Sequence, residues 1–169
     1  MQENKNLKIY INLKKKGIDK ASILIFNFKE PEYAESKGKI AASIFHKYLL
    51  KSKKFHVVSI NNNSSWVKLG ETEEERLKNA IKSGKEKNFD YIFVGELTKY
   101  IYANVNNSEV GMKIRIIDTN KGKTFFYAED SKKQQGADPS FPLDTKLTDK
   151  SKKPELLIEE IAKELISKI

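Results

Sequence analysis

The chain has 169 residues, 38% of them hydrophobic, with nine Phe, seven Tyr and one Trp, enough to bury one core. It has no cysteine, which excludes disulfides, thiol nucleophiles and cysteine-held metals and leaves the redox compartment open. The net charge of +9 rests almost wholly on lysine: only Arg76 and Arg115 offer the planar fork suited to phosphate or guanine, so specific nucleic-acid recognition is disfavoured.

The polar start, MQENKNLK, has no apolar leader region, and the longest apolar run, ASILIFNF, is too short to span a bilayer. Residues 1–20 carry six Lys against Glu3 and Asp19, a net of +4. KIYINL then alternates Ile9, Ile11 and Leu13 as an edge strand does, and KKKG ends it. The run Ala21 to Phe28 is continuously apolar, the mark of a strand covered on both faces, and Glu30-Pro31 closes it. From about Tyr33 to Lys53 the period changes: Ile40, Ala41, Ile44, Phe45, Tyr48 and Leu49 form one helical stripe.

Phe55 to Ile60 reads as a strand and NNNSS as a loop. Thr72 with Glu75 makes a capping box for a helix to about Lys87, with Leu77, Ala80, Ile81 and Gly84 on its buried side. NFDYIFVGELTKY is the most strand-like run, and its interior Gly95 predicts a close approach of another layer. The further glycines of a phosphate-binding loop are missing. In EVGMKIRIID, Met112, Ile114 and Ile116 alternate with Lys113, Arg115 and Ile117, predicting one covered and one wetter face. DTNKGK is a hairpin turn with Gly122 free for positive φ, and KTFFYAED is the returning strand. Residues 131–153 read as a long polar loop with Phe141, Leu143 and Leu147 as its only anchors. Pro154 opens a last helix, 154–169, with Leu157, Ile158, Ile161, Leu165 and Ile169 in its stripe.

The order is strand, strand, helix, strand, helix, three meandering strands, helix. It predicts a single α/β domain over 21–169, a mixed sheet of about five strands with helices packed on it, preceded by a tether and edge strand over 1–20.

No catalytic constellation stands out. His46 and His56 make no metal motif, pairs such as Glu73 with Glu74 or Glu129 with Asp130 lie in charged surroundings, and no glycine-flanked serine elbow occurs. We therefore expect no enzyme, no cofactor and no metal. Trp66, with Val67 and Leu69, is one candidate partner anchor, the alternative being that Trp66 folds back onto a helix; Phe141 and Leu143 are the other candidates.

The succession SILIFNF, FHKYLLKSKKFHVVS, KNFDYIFVGELTKY and MKIRIIDTNKGKTFFYAED resembles the bacterial envelope-lipoprotein superfamily that includes CsgG, LpoB and the amino-terminal domain of TolB. Phe55, Val57, Val58, Asp90, Tyr91, Gly95, Asp118 and Gly122 fill the places of its motifs, over about residues 21–131. The resemblance implies an anticodon-binding-domain-like sandwich and a non-catalytic periplasmic domain that docks to an envelope assembly serving cell-wall synthesis, secretion or appendage assembly. It also implies an outer-membrane anchor through a lipidated cysteine, which this chain lacks; QENKNLK is then the start of the tether. The candidate membrane-hairpin segments, NNNSSWVKLGE and ANVNNSE, are polar and too short for a curli-type pore.

The implied partners are an envelope protein, with lysine-rich flanks adding attraction to an anionic membrane or cell-wall surface, and a homo-oligomer is allowed. The competing class is a cytoplasmic nucleic-acid binder that stacks bases on Tyr100, Tyr102 and Tyr127.

Overall fold

A computed structural model describes residues 7–11, 18–103, 107–135 and 153–169. The elements follow the expected order: β1 (Lys8–Ile11), β2 (Ser22–Asn27), α1 (Lys37–Ser52), β3 (Val57–Ser65), α2 (Glu73–Glu86), β4 (Tyr91–Ala103), β5 (Asn107–Asp118), β6 (Thr124–Gln135) and α3 (Pro154–Lys168). The six strands form one mixed sheet in the order β1-β6-β5-β4-β2-β3, parallel across β3-β2-β4 and antiparallel from β4 through β1. This is the expected α/β sandwich, with six strands where about five were expected.

β2 and the start of β4 read as unbroken apolar runs because both their faces are covered. In β2, Ile23 and Ile25 face the layer of α1 and α3, while Leu24 and Phe26 face α2. Helix α1 buries Ala41, Ala42, Phe45 and Leu49, and α3 buries Leu157, Ile158, Ile161, Ala162 and Leu165. The two helices run in the same direction: Lys37 pairs with Glu155 near their starts, and the Lys54 ammonium, just past α1, donates to the Ile166 carbonyl at 2.7 Å near the end of α3.

The capping box on α2 forms as read, Thr72 Oγ1 accepting from the Glu75 amide at 3.2 Å and the Glu75 carboxylate reaching back to the Thr72 amide. Helix α1 is capped from a distance: Glu30 accepts from the Ser36 and Gly38 amides at 2.9 and 2.6 Å. The β5–β6 turn is fastened by the Asp118 carboxylate, which accepts from the Asn120 and Lys121 amides, and Gly122 takes the left-handed φ of 63°.

Gly95 answers to packing. A Cβ there would lie 2.5 Å from the ring of Phe28, which is itself wedged against Phe45 and Phe93 at centroid distances of 5.4 and 5.8 Å. The missing side chain lets the Phe28 ring rest on the backbone of β4.

Two boundaries differ from the reading of the sequence. NNNSS is strand: β3 continues to Ser65, its register shifting between Phe26 and Asn27 of β2, because pairing with a buried parallel neighbour outweighs the turn preference of asparagine and serine. The segment read as a polar loop from Ser131 begins as strand, since β6 stays paired with β5 to Gln135. The remainder of that loop, 136–152, with Phe141, Leu143 and Leu147, lies outside the described residues.

Candidate functional site

The two faces of the sheet are covered unequally. On one, α1 packs over β2, β3 and β4 and α3 over β4, β5 and β6. On the other, α2 and the 3-10 turn Trp66–Leu69 cover the β2–β4 half, burying Trp66, Ala80, Ile92, Val94 and Ile117 with Leu24 and Phe26. No helix among the described residues packs over the β5–β6–β1 half of this face.

Where the covered half meets the open half there is a cleft of about 230 Å³ lined by Trp66, Glu73, Leu77, Val94, Glu96, Lys113, Arg115 and Tyr127. The register sets its polar wall. Val94, Arg115, Tyr127 and Tyr10 lie opposite one another on successive strands, and Glu96, Lys113, Glu129 and Lys8 form the next row. The second row alternates in sign, with Lys113 3.9 Å from Glu129 and Glu96 3.6 Å from Lys29. In the first row the Arg115 guanidinium sits 5.3 Å from the centre of the Tyr127 ring and makes no ion pair among the described residues. Tyr10, 56% exposed, ends the row on the edge strand.

The Tyr127 hydroxyl donates a short hydrogen bond to Glu129. Burial first, then that bond and the Glu129 charge, push its phenol from 10 up to about 12, against the opposing pull of Arg115. A folded-state pKa raised above the unfolded one contributes stability that is fully present below pH 10 and lost as pH rises through about 12. Wild type is therefore expected to lose stability over that window more steeply than Tyr127→Phe, as read by urea denaturation at a series of alkaline pH values. Tyr100 is shifted the same way, by burial and by Glu155, and is present in both proteins, so the difference isolates Tyr127.

Trp66 is not a surface anchor. It is 4% exposed and folds back beneath α2, its indole N–H donating to the Gly95 carbonyl at 2.8 Å. Val67 and Leu69 are half-buried in the same cluster, beside Leu77, Ile81 and Phe89. These three residues therefore build the cleft's inner wall and its support. His46 is half-buried with Nε2 3.2 Å from the Val58 carbonyl oxygen, and His56 is exposed. Glu129 and Asp130 point to opposite faces of β6, Glu129 toward Lys113 and Asp130 into the protein, so they form no acid pair. No group of three His, Asp or Glu that could hold a metal occurs among the described residues.

The three tyrosines considered for base stacking are not one platform. Tyr100 is buried, donating to Glu155 at 3.0 Å; Tyr102 follows it on the same face, and Tyr127 lies on the other. Arg115, Lys113 and Glu96 were not singled out from the sequence as site residues. The alternation of Lys113 and Arg115 with Met112, Ile114 and Ile116 did announce their wetter face.

No family model and no curated protein matches the chain. Solved structures do. The PelC dodecamer from Paraburkholderia phytofirmans matches 96% of this chain and 91% of its own, at 13% identity and a TM-score of 0.63. The hypothetical protein CT253 from Chlamydia trachomatis matches 88% of this chain and 95% of its own, at 10% identity and a TM-score of 0.55. These likenesses are of fold. Lipoprotein structures are also matched, among them the LpoB C-terminal domain from Salmonella enterica, which superposes more loosely, at 15% identity and a TM-score of 0.43 over 66% of this chain and 82% of its own. No helix among the described residues is long and apolar enough to cross a membrane.

Proposed function

We propose that the chain is a non-catalytic interaction domain of the bacterial envelope, periplasmic and lipid-tethered at the outer membrane, that docks to a protein of an envelope assembly through the open half of its sheet. The carrying observation is the unequal cover: a half-face bearing Arg115, Tyr127 and Tyr10, bordered by a cleft, with no helix of the described residues over it. A cation held on a tyrosine ring without a carboxylate partner, next to exposed aromatic surface, is the composition enriched where proteins bind proteins. Of the charged groups of the cleft, Glu96 pairs with Lys29, Lys113 with Glu129, and Arg115 stacks on Tyr127; no nucleophile stands beside a base among the described residues, which supports binding over bond-making. The fold likeness to PelC, whose solved form is a dodecamer, supports an assembly-forming role and allows a second copy of this chain as an additional partner. Phe141 and Leu143 remain proposed partner anchors.

A photo-crosslinking residue placed at Tyr10 or Lys113 and exposed to an envelope extract is expected to capture one discrete protein. The same residue at Lys39, exposed on α1, is expected to capture none. Capture should fall at least about tenfold with Arg115→Glu, the loss of one well-placed interface group. Equal labelling from all three positions, or no effect of Arg115→Glu on capture, defeats the docking face. A short oligonucleotide bound at low salt and released by modest added salt would favour the nucleic-acid class instead.

A further inference from the structure

Eight exposed lysines of the described residues stand together at one end of the fold. The starts of β2, β3 and β4, the β5–β6 turn and the C-terminal ends of all three helices meet there: the Ala21 carbonyl accepts from the His56 amide at 2.9 Å, Ser22 binds Asp90, and Thr119 binds the Phe89 carbonyl at 2.6 Å. Lys20 reaches this end from the 3-10 turn Ile18–Lys20, Lys121 and Lys123 from the β5–β6 turn, and Lys51, Lys53, Lys85, Lys87 and Lys168 from helix ends. All eight are exposed, and none makes an ion pair among the described residues. The carboxylates at this end offset them only in part: Asp19, Glu86, Asp90 and Asp118 stand against the eight lysines, and Glu86 lies 4.0 Å from Lys82. The opposite end mixes signs, with Glu32 and Glu35 before α1 and Glu71, Glu73 and Glu74 at the start of α2 set beside Lys37, Lys39 and Lys68. Helix dipoles account for lysines in a last helical turn, as at Lys51 and Lys85. They do not account for Lys121 and Lys123 in the β5–β6 turn.

Two apolar side chains stand exposed at this pole. Leu50, in the last turn of α1 beside Lys51, is 50% exposed, and Val57, at the start of edge strand β3, is 42% exposed. Close by, the ammonium groups of Lys47, Lys51 and Lys163 lie 5.1, 5.5 and 5.4 Å from the centre of the Tyr48 ring, and among the described residues only Lys47 has a carboxylate, Glu159 at 3.0 Å.

We infer that this basic pole is a docking surface for an anionic phospholipid bilayer, lysines on the headgroups and Leu50 and Val57 entering the interface. Exposed apolar side chains set among lysines are what a membrane surface takes up. The scarcity of arginine argues against a nucleic acid, whose phosphates and guanines favour the guanidinium fork. The inference goes beyond the protein-docking face, which lies on the sheet and not at this end, and it replaces the lysine-rich flanks with a folded surface as the source of attraction to anionic membranes.

Co-sedimentation of the full chain with phosphatidylcholine vesicles containing about one-third phosphatidylglycerol tests it. Binding is expected to the mixed vesicles and not to pure phosphatidylcholine, and to weaken as salt rises. Lys51→Glu with Lys123→Glu should lower the partition coefficient at least about 25-fold, since each surface lysine contributes about fivefold. Lys39→Glu with Lys68→Glu, the same change in net charge placed elsewhere, should lower it much less. Leu50→Ser should weaken binding severalfold at every salt concentration. Equal losses in the two double variants, no loss in the first, or equal binding to neutral vesicles overturns the inference. So does an oligonucleotide that binds through Lys51 and Lys123 more tightly than the vesicles do. A chain that ignores vesicles yet still crosslinks its protein through Tyr10 or Lys113 removes the lipid surface and leaves the docking face standing.

Discussion

Trp66→Ala is expected to destabilise the protein by about 3–5 kcal/mol, the cost of emptying a large buried aromatic site. Against a total stability of about 5–15 kcal/mol, that removes a large share of the folded population's margin. The indole is buried between the 3-10 turn, α2 and the sheet, in the cluster of Leu24, Phe26, Ile92 and Val94. Its N–H also satisfies the Gly95 carbonyl, which accepts in addition from the Lys29 amide at 2.9 Å. Trp66→Phe, which keeps most of the volume and loses the donor, should therefore cost only about 1 kcal/mol, because the carbonyl retains its backbone partner. Urea denaturation followed by far-ultraviolet circular dichroism reads both variants, neither of which keeps the chain's one tryptophan. An alanine variant within about 1 kcal/mol of wild type would mean the turn is not packed as described.

Gly95→Val is expected to cost about 3 kcal/mol or more, at the upper end of overpacking in a closed core. The first added carbon would already overlap the Phe28 ring at 2.5 Å. That ring is fully buried and held by Phe45 and Phe93, so it cannot swing aside as an exposed side chain would. The double variant Gly95→Val with Phe28→Leu should be more stable than the sum of the two single costs predicts, by about 1 kcal/mol or more, because the smaller side chain vacates the space that valine needs. Additive costs would place the strain of Gly95→Val somewhere other than against Phe28.

Much of the fold was legible in local pattern. The apolar run from Ala21 to Phe28 gave a strand covered twice, Thr72 and Glu75 gave the start of α2, and Asp118 with Gly122 gave the hairpin turn. Each of these is decided by residues within a few positions of one another, where hydrogen-bonding chemistry and side-chain period act directly. Gly95 was legible in kind: a glycine inside a strand announces a close neighbour, though not which one.

The candidate sites were not legible to the same depth. Trp66 and Glu96 are 30 residues apart in sequence, and Arg115 meets Tyr127 only through the β5–β6 register. The basic pole draws on lysines from five separate segments, while the composition of the chain had pointed instead to its polar flanks. Nothing in a local window states that three helices end at the same place, or that α2 stops halfway across the sheet.

By itself, then, the sequence determined the kind and order of the elements, their buried stripes, their caps and the hairpin turn, because those depend on contacts a few residues long. Tertiary structure alone decided that NNNSS would be strand, that Trp66 would lie beneath α2, and that half a sheet face and a cluster of lysines would be left facing outward. Strand pairing and layer packing join residues tens of positions apart, and burial against those distant partners outweighs the weak preferences of any short segment.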